Sequence, residues 1–385
     1  MSGIPVLTRF LLLRDPRLPF VDLDLTDPET GLPLPEVCLV GPVDGDSRVL
    51  FSRLYDAVSG MPLPSASGDD YALAKFASED GSFYLARPLD GRAGLFFRTS
   101  IEESPHWQTL TASPPEFGEL ADWFADDLVE DQPTACDDAS ALWIDSSGEN
   151  ELASFLAPLQ QERGEAFHRF LLAPENRERT VSDLESDFEA TSPQAYSQLA
   201  EVWNQFLAPV GYQTALADSG HPFRDGSGAP VPASNLDDSV SRALVRCGTA
   251  ALSNASTLFL DRPEGALHPA LASSLIAAYR SLAAKSARLI VATDSPLVAA
   301  RFAPSHRIRL GRADDGTLSA TRSTAPDGAG CDEILRADYG LDDALFAPKA
   351  LPAAKPAPIQ QPDDEYDDED ELADLIDEVI SIRKF

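Results

Sequence analysis

The segment TLFLDRPEGALHP, Thr257 to Pro269, runs an apolar strand into Asp261 and then through a Pro-Glu turn to Leu-His-Pro at the start of a helix. A carboxylate held at the end of a buried strand can hold Mg²⁺. Upstream, Val37-Cys38-Leu39-Val40 leads directly into the loop GPVDGDSR, Gly41 to Arg48, and then into a helix. Strand, loop and helix in that order form the layout that cradles phosphate. Downstream, LIVATDSPLVAARF, Leu289 to Phe302, places Asp294 just beyond another apolar strand, and NLDDSVSRALVR, Asn235 to Arg246, opens a helix with two aspartates. A phosphate cradle, a metal carboxylate and a polar residue beside them are the parts of a nucleotide-hydrolysing site.

Taken in chain order, the four segments resemble the Walker A, signature, Walker B and switch elements of ABC-type ATPase heads of the RecF, SMC and OLD kind. The resemblance spans Val37 to Phe302. It implies an α/β, ABC/RecF-like P-loop NTPase head with a mostly parallel sheet. In such heads the Walker B strand ends Asp-Glu-Pro-Glu, the switch reads Thr-His-Ser-Pro and the signature reads Leu-Ser-Ser-Gly-Glu.

Each element keeps its scaffold residues and loses its chemistry. A phosphate loop needs a Lys for the β- and γ-phosphates and a Ser or Thr hydroxyl for Mg²⁺. Here Ser47 stands at the Lys position and Arg48 at the hydroxyl position. Asp44 and Asp46 put carboxylates where phosphate oxygens would lie, and a like-charge pair at about 4 Å costs roughly 4 kcal/mol near a protein surface. Arg262 replaces the glutamate that orients water, and Asp294 replaces the switch histidine. In the signature, Asp237, Asp238 and Ser239 stand where Ser and Gly would close over a neighbour's phosphate, with Val240 at the Glu position. Asp261 alone is retained, so the resemblance implies a pseudo-ATPase that takes no cofactor. Two blander readings stand beside it: Asp261 as a helix-capping residue of any doubly wound α/β protein, and Arg48 reaching a phosphate in place of the lysine.

The elements that would position these residues are legible by pattern. Val6 to Arg14 and Phe20 to Leu25 alternate as strands, and Leu50, Leu54, Tyr55 and Val58 mark one face of a helix stopped by Gly60. A helix from about Val240, the strand ending at Asp261, a helix with Leu267, Leu271, Leu275, Ile276, Tyr279 and Leu282, and the strand Leu289 to Ala292 follow. Buried strands alternating with helices predict a parallel sheet with crossover connections. Between them, Phe83 to Ala86 and Gly94 to Arg98 read as strands, and helices are expected around Leu120, Trp123 and Phe124 and around Leu199, Val202, Trp203 and Phe206. The resulting division is 1–70 and 236–346 for the head, 71–235 for an inserted α+β lobe, 347–362 for a flexible linker and 363–385 for an acidic amphipathic helix.

Composition restricts the partners. The 385 residues carry 63 Asp and Glu against 30 Lys and Arg, a net charge of −33, which excludes a general electrostatic grip on nucleic acid or an anionic membrane. Four dispersed cysteines, Cys38, Cys136, Cys247 and Cys331, argue against a disulfide framework or a zinc site and for a reducing, cytoplasmic setting. Residues 347–362 hold five prolines and five alanines, a semi-stiff spacer. Beyond them Leu372, Leu375, Ile376, Val379 and Ile382 form one apolar stripe ahead of the terminal Phe385. Such a stripe either docks on its own body or enters a groove on a partner.

The expected function is a scaffold or regulatory subunit that binds proteins through the tail and the head surface, with no direct nucleic-acid or membrane contact. DNA repair or phage defence is the setting the resemblance implies. An acidic nucleic-acid mimic and a weakly active ATPase are the alternatives.

Overall fold

The computed structural model describes residues 6–13, 15, 18, 20–41, 46–59, 71–78, 81–89, 94–99, 106–129, 141–145, 152–159, 161, 194–215, 221–253, 255–286, 288–312 and 318–341. The chain divides into two compact units, 1–341 and 342–385, and the described residues all belong to the first.

In chain order the first elements are β1 (Val6–Leu13), β2 (Phe20–Asp24), β3 (Glu36–Val40), α1 (Asp46–Ser59), β4 (Tyr71–Ser78), β5 (Gly81–Pro88) and β6 (Leu95–Thr99). They continue with α2 (His106–Ala112), α3 (Phe117–Trp123), β7 (Ala141–Asp145), a helical stretch at 152–159 and α4 (Gln194–Leu207). Three two-residue strands follow, β8 (Gln213–Thr214), β9 (Phe223–Arg224) and β10 (Pro230–Val231). The last part is α5 (Asp238–Leu252), β11 (Thr257–Asp261), α6 (Pro269–Ser286), β12 (Arg288–Thr293), α7 (Pro296–Ala299), β13 (Arg307–Arg312), β14 (Leu318–Arg322) and α8 (Cys331–Ala337).

A six-stranded sheet runs β14-β13-β3-β12-β11-β7, parallel throughout except for the antiparallel edge strand β14. The α/β class and the mostly parallel sheet are therefore as the sequence indicates. Strands buried on both faces read as continuous apolar runs, and alternate residues feed opposite cores. Cys38, Val40, Leu258, Leu260, Leu289 and Val291 pack with Trp203, Leu244 and Ile276 of α4, α5 and α6. Val37, Leu39, Phe259 and Ile290 pack on the other side with Leu50, Phe51 and Leu54 of α1.

That second core also receives Phe10, Leu12, Val21, Ala72 and Ala74 from an antiparallel sheet of order β2-β1-β4-β5-β6. The sheet crosses the division expected at residue 70, because β1 pairs with β4 over Leu13↔Tyr71 to Val6↔Ala77. β7 likewise belongs to the parallel sheet, in register with β11 from Thr257↔Ala141 to Asp261↔Asp145. The segment read as an inserted lobe thus supplies strands to both sheets. The outer face of the antiparallel sheet is closed by α2 and α3 through Trp107, Leu110, Phe117, Leu120 and Phe124.

Candidate functional site

In register, Leu289 pairs with Glu36 and Thr293 with Val40, while Asp261 pairs with Ala292, so β3, β12 and β11 end on one edge. Ligand crevices of open α/β sheets lie beyond this carboxyl edge. Gly41 leaves β3 where a Cβ would stand 3.0 Å from Leu310 Cβ, so any larger residue there would press on β13. α1 then starts at Asp46 and carries Ser47 and Arg48 in its first turn.

Arg48 turns onto the strand end. Its Nε lies 2.9 Å from Oδ2 of Asp261, with the Asp261 side chain 5% exposed and that of Arg48 56% exposed. A guanidinium therefore occupies the carboxylate that a divalent cation would need. Beside it, Nε of Arg262 lies 3.4 Å from Oδ2 of Asp294, joining two of the positions singled out in the sequence. Arg262 takes a left-handed conformation, φ 48°, while its N–H donates to Ala292 O at 2.8 Å. Ser47, Arg48, Asp261, Arg262 and Asp294, with Leu39, Gly41, Ala292 and Thr293, enclose a recess of about 10 Å³. That is room for one water, against the roughly 300 Å³ or more of a small-molecule site. Among the described residues the set does not suit a nucleotide with its Mg²⁺: the Asp261 carboxylate is paired with Arg48, and the recess has room for about one water. Among the described residues no cluster of three or more His, Cys, Asp or Glu could hold a metal.

Below this layer sits a residue to which the sequence assigns no role. Glu264 accepts a hydrogen bond at Oε1 from the Thr293 hydroxyl, which in turn accepts from the Ser295 N–H at 3.0 Å. Its Oε2 is buried without a hydrogen-bond partner. Burial first, and the nearby Asp294 to a lesser degree, raise the carboxyl from its ordinary 4.5 to about 7, against the Thr293 bond and Arg262, which pull it down. A glutamate following a proline in a turn reads as solvated, so only the fold reveals it.

The signature-like helix is built separately. Asp237 caps α5, its Oδ1 accepting from the Ser239 hydroxyl at 2.6 Å and the Ser239 N–H at 2.9 Å, and these bonds hold its carboxyl below the usual range. Asp237 and Asp238 line an open cleft of about 490 Å³ with Val240, Arg242, Ala266, His268 and Leu271. The two recesses share no residue, so the structure gathers five of the singled-out positions and leaves these two apart. His268 accepts from the Ala270 N–H at 3.3 Å and shapes the turn. Asp44 and the side chain of Asp46 lie outside the described residues, as do Leu372, Leu375, Ile376, Val379, Ile382 and Phe385. Cys38, Cys247 and Cys331 are free thiols. No helix of the described residues is long and apolar enough to cross a membrane.

No family model matches the chain, and no curated protein matches it significantly. Among solved structures it is similar to the SMC head domain from Thermotoga maritima, at 12% identity and TM-score 0.44, over 82% of this chain and 98% of that one. An Smc head bound to the C-winged helix domain of ScpA gives 12% identity, TM-score 0.43 and coverage of 83% and 97%. A third, an Smc head with an extended coiled coil bound to the C-terminal domain of ScpA derived from Pyrococcus furiosus, gives 12%, 0.43, and 83% and 96%. At this identity and overlap the likeness assigns no activity, ligand or partner.

Proposed function

We propose that the chain is a catalytically inactive, pseudo-ATPase member of a protein complex, serving as a scaffold or regulatory subunit, with DNA repair or phage defence as its setting. The observation that carries this reading is the pair of ion pairs, Arg48 with Asp261 and Arg262 with Asp294, across the closed recess. Each arginine satisfies a carboxylate that would otherwise need a metal or a water-orienting partner. Replacing one lost residue does not restore a site in which the metal ligand is already paired.

Calorimetry with ATP and Mg²⁺ tests the reading. No heat of binding and no thermal shift are expected even at millimolar nucleotide. A micromolar dissociation constant would overturn the reading, and so would ATP hydrolysis by the Ser47→Lys variant. The acidic tail is the proposed second contact. Changing Leu375 and Ile376 to Asp is expected to end partner capture without lowering the melting temperature, because a buried Leu or Ile contributes on the order of 1.5–3 kcal/mol while the charges act chiefly on the association rate.

A further inference from the structure

Three large apolar side chains stand exposed within seven residues of α3 and the strand-like segment after it: Trp123 at 46%, Leu128 at 38% and Val129 at 39%. Single exposed apolar residues are ordinary on a protein surface. These three are fixed by what lies beneath them. α3 turns Phe117 and Leu120 into the core, and Phe124 stacks on Phe97 with centroids 4.1 Å apart. Leu128 then pairs with Phe97 along the edge of β6, where the Arg98 N–H donates to Asp127 O at 2.9 Å and the Val129 N–H to Phe96 O at 3.1 Å. The inward positions are filled, so Trp123, Leu128 and Val129 are held outward by a packed backbone and cannot swing into the core.

Along this stretch of chain the charge has one sign, although the exposed Arg98 of β6 lies beside Asp127. From Trp107 to Val129 there is no Lys or Arg, while Glu116, Glu119, Asp122, Asp126 and Asp127 supply five carboxylates. Glu119, Asp122 and Trp123 fall at i, i+3 and i+4, so the ring is flanked by carboxylates on its own helix face. Like charge disfavours two occupants. The tail, with eleven acidic residues against Arg383 and Lys384, is repelled, and so is the same patch on a second copy. An aromatic anchor inside an anionic rim is complementary to an apolar side chain carried among lysines and arginines.

We infer that Trp123, Leu128 and Val129, rimmed by Glu119, Asp122 and Asp126, form a docking surface for a cationic, apolar-bearing segment of a partner protein. The inference rests on the scaffold reading, but it uses no residue of the closed recess, so nucleotide calorimetry and the experiment below fail independently.

The probe is a short synthetic peptide of lysine and leucine, compared with one in which every leucine is serine, both titrated against the full chain near 0.15 M salt. Charge alone would bind the two equally. The inference expects the Lys/Leu peptide to bind at least about tenfold tighter, equivalent to about 1.4 kcal/mol. It expects Trp123→Ala with Leu128→Ser to abolish that difference at an unchanged melting temperature. Glu119→Gln with Asp122→Asn should weaken both peptides and flatten their salt dependence while keeping the preference for leucine. Equal binding of the two peptides by the wild type would overturn the inference, as would a preference that survives loss of Trp123 and Leu128.

Discussion

The two ends of the parallel sheet both carry arginine-carboxylate pairs, and they hold them differently. At the amino end, Arg280 grips Glu36 with Nε at 2.6 Å and Nη2 at 2.9 Å, His306 Nδ1 lies 3.3 Å from the same carboxylate, and the guanidinium stacks 4.8 Å from the Phe302 ring centre. Arg307, at the start of β13, is 2% exposed, sits 3.0 Å from Oδ2 of the fully buried Asp338, and donates to Phe302 O at 2.9 Å. At the carboxyl end Arg48 is more than half exposed, and Arg262 meets Asp294 at 3.4 Å with about a third of each side chain in solvent. There, Arg262 and Ala266 both take positive φ, 48° and 63°. Left-handed non-glycine residues cost roughly 1–2 kcal/mol each. One end is cross-braced for stability. The other keeps backbone strain and ion pairs that solvent reaches.

The largest effect should come from the braced end. Asp338→Ala strands Arg307 in the core without its countercharge, and breaking a buried pair costs about 3–5 kcal/mol. Chemical denaturation should show that loss. Replacing Arg307 and Asp338 together by apolar residues should recover much of it, because the stranded charge, rather than the lost bond, dominates the cost. A loss under about 1 kcal/mol would erase the distinction between the two ends.

Next comes Glu264, with the opposite sign. The folded chain keeps a proton there up to about pH 7, whereas the unfolded chain releases it near 4.5. The native state therefore binds more protons between those values, so this group makes stability fall as pH rises from about 4.5 to 7 and leaves it flat above. Glu264→Gln keeps an acceptor for the Thr293 hydroxyl and removes the charge. It should raise stability at pH 8 by at most about 3 kcal/mol, flatten the slope below pH 7, and change little at pH 4. Thermal melts across that range decide it, and a variant that tracks the wild type at every pH would show that the carboxyl is solvated.

Why the sequence reveals some of this and conceals the rest follows from how each signal arises. β3, β11 and β12 are buried on both faces, so their apolar runs mark them without any knowledge of their neighbours. β13, Arg307-Ile308-Arg309-Leu310-Gly311-Arg312, hides because Arg307 and Arg309 bond inward to carbonyls and, for Arg307, to Asp338. β7 pairs with β11 across more than a hundred residues of chain, and the division at residue 70 fails for the same reason, since strand pairing is a long-range choice that periodicity does not encode. At the site, the four motifs name Asp261, Arg262 and Asp294 as separate departures from a pattern. What they do not contain is that Arg48 reaches Asp261 and Arg262 reaches Asp294, because pairing depends on side-chain direction across two elements.

The smallest effect, and the finest test of the contrast, is Arg48→Ala. Two consequences, both unfavourable, decide its size. Loss of an ion pair with one exposed partner costs about 1 kcal/mol or less. Asp261, nearly buried, is left without that guanidinium, which adds a desolvation cost. A net loss near 1 kcal/mol at pH 7 is expected. A double-mutant cycle with Asp261→Asn isolates the pair, and its coupling should weaken as salt is raised from 0.05 to 0.5 M, since solvent reaches Arg48. The Arg307–Asp338 cycle, measured in the same way, should be several-fold larger and nearly indifferent to salt. Equal coupling in the two cycles would mean that the carboxyl edge is as braced as the amino edge, and that Arg48 is a structural lock rather than a surface residue resting on a nearly buried carboxylate.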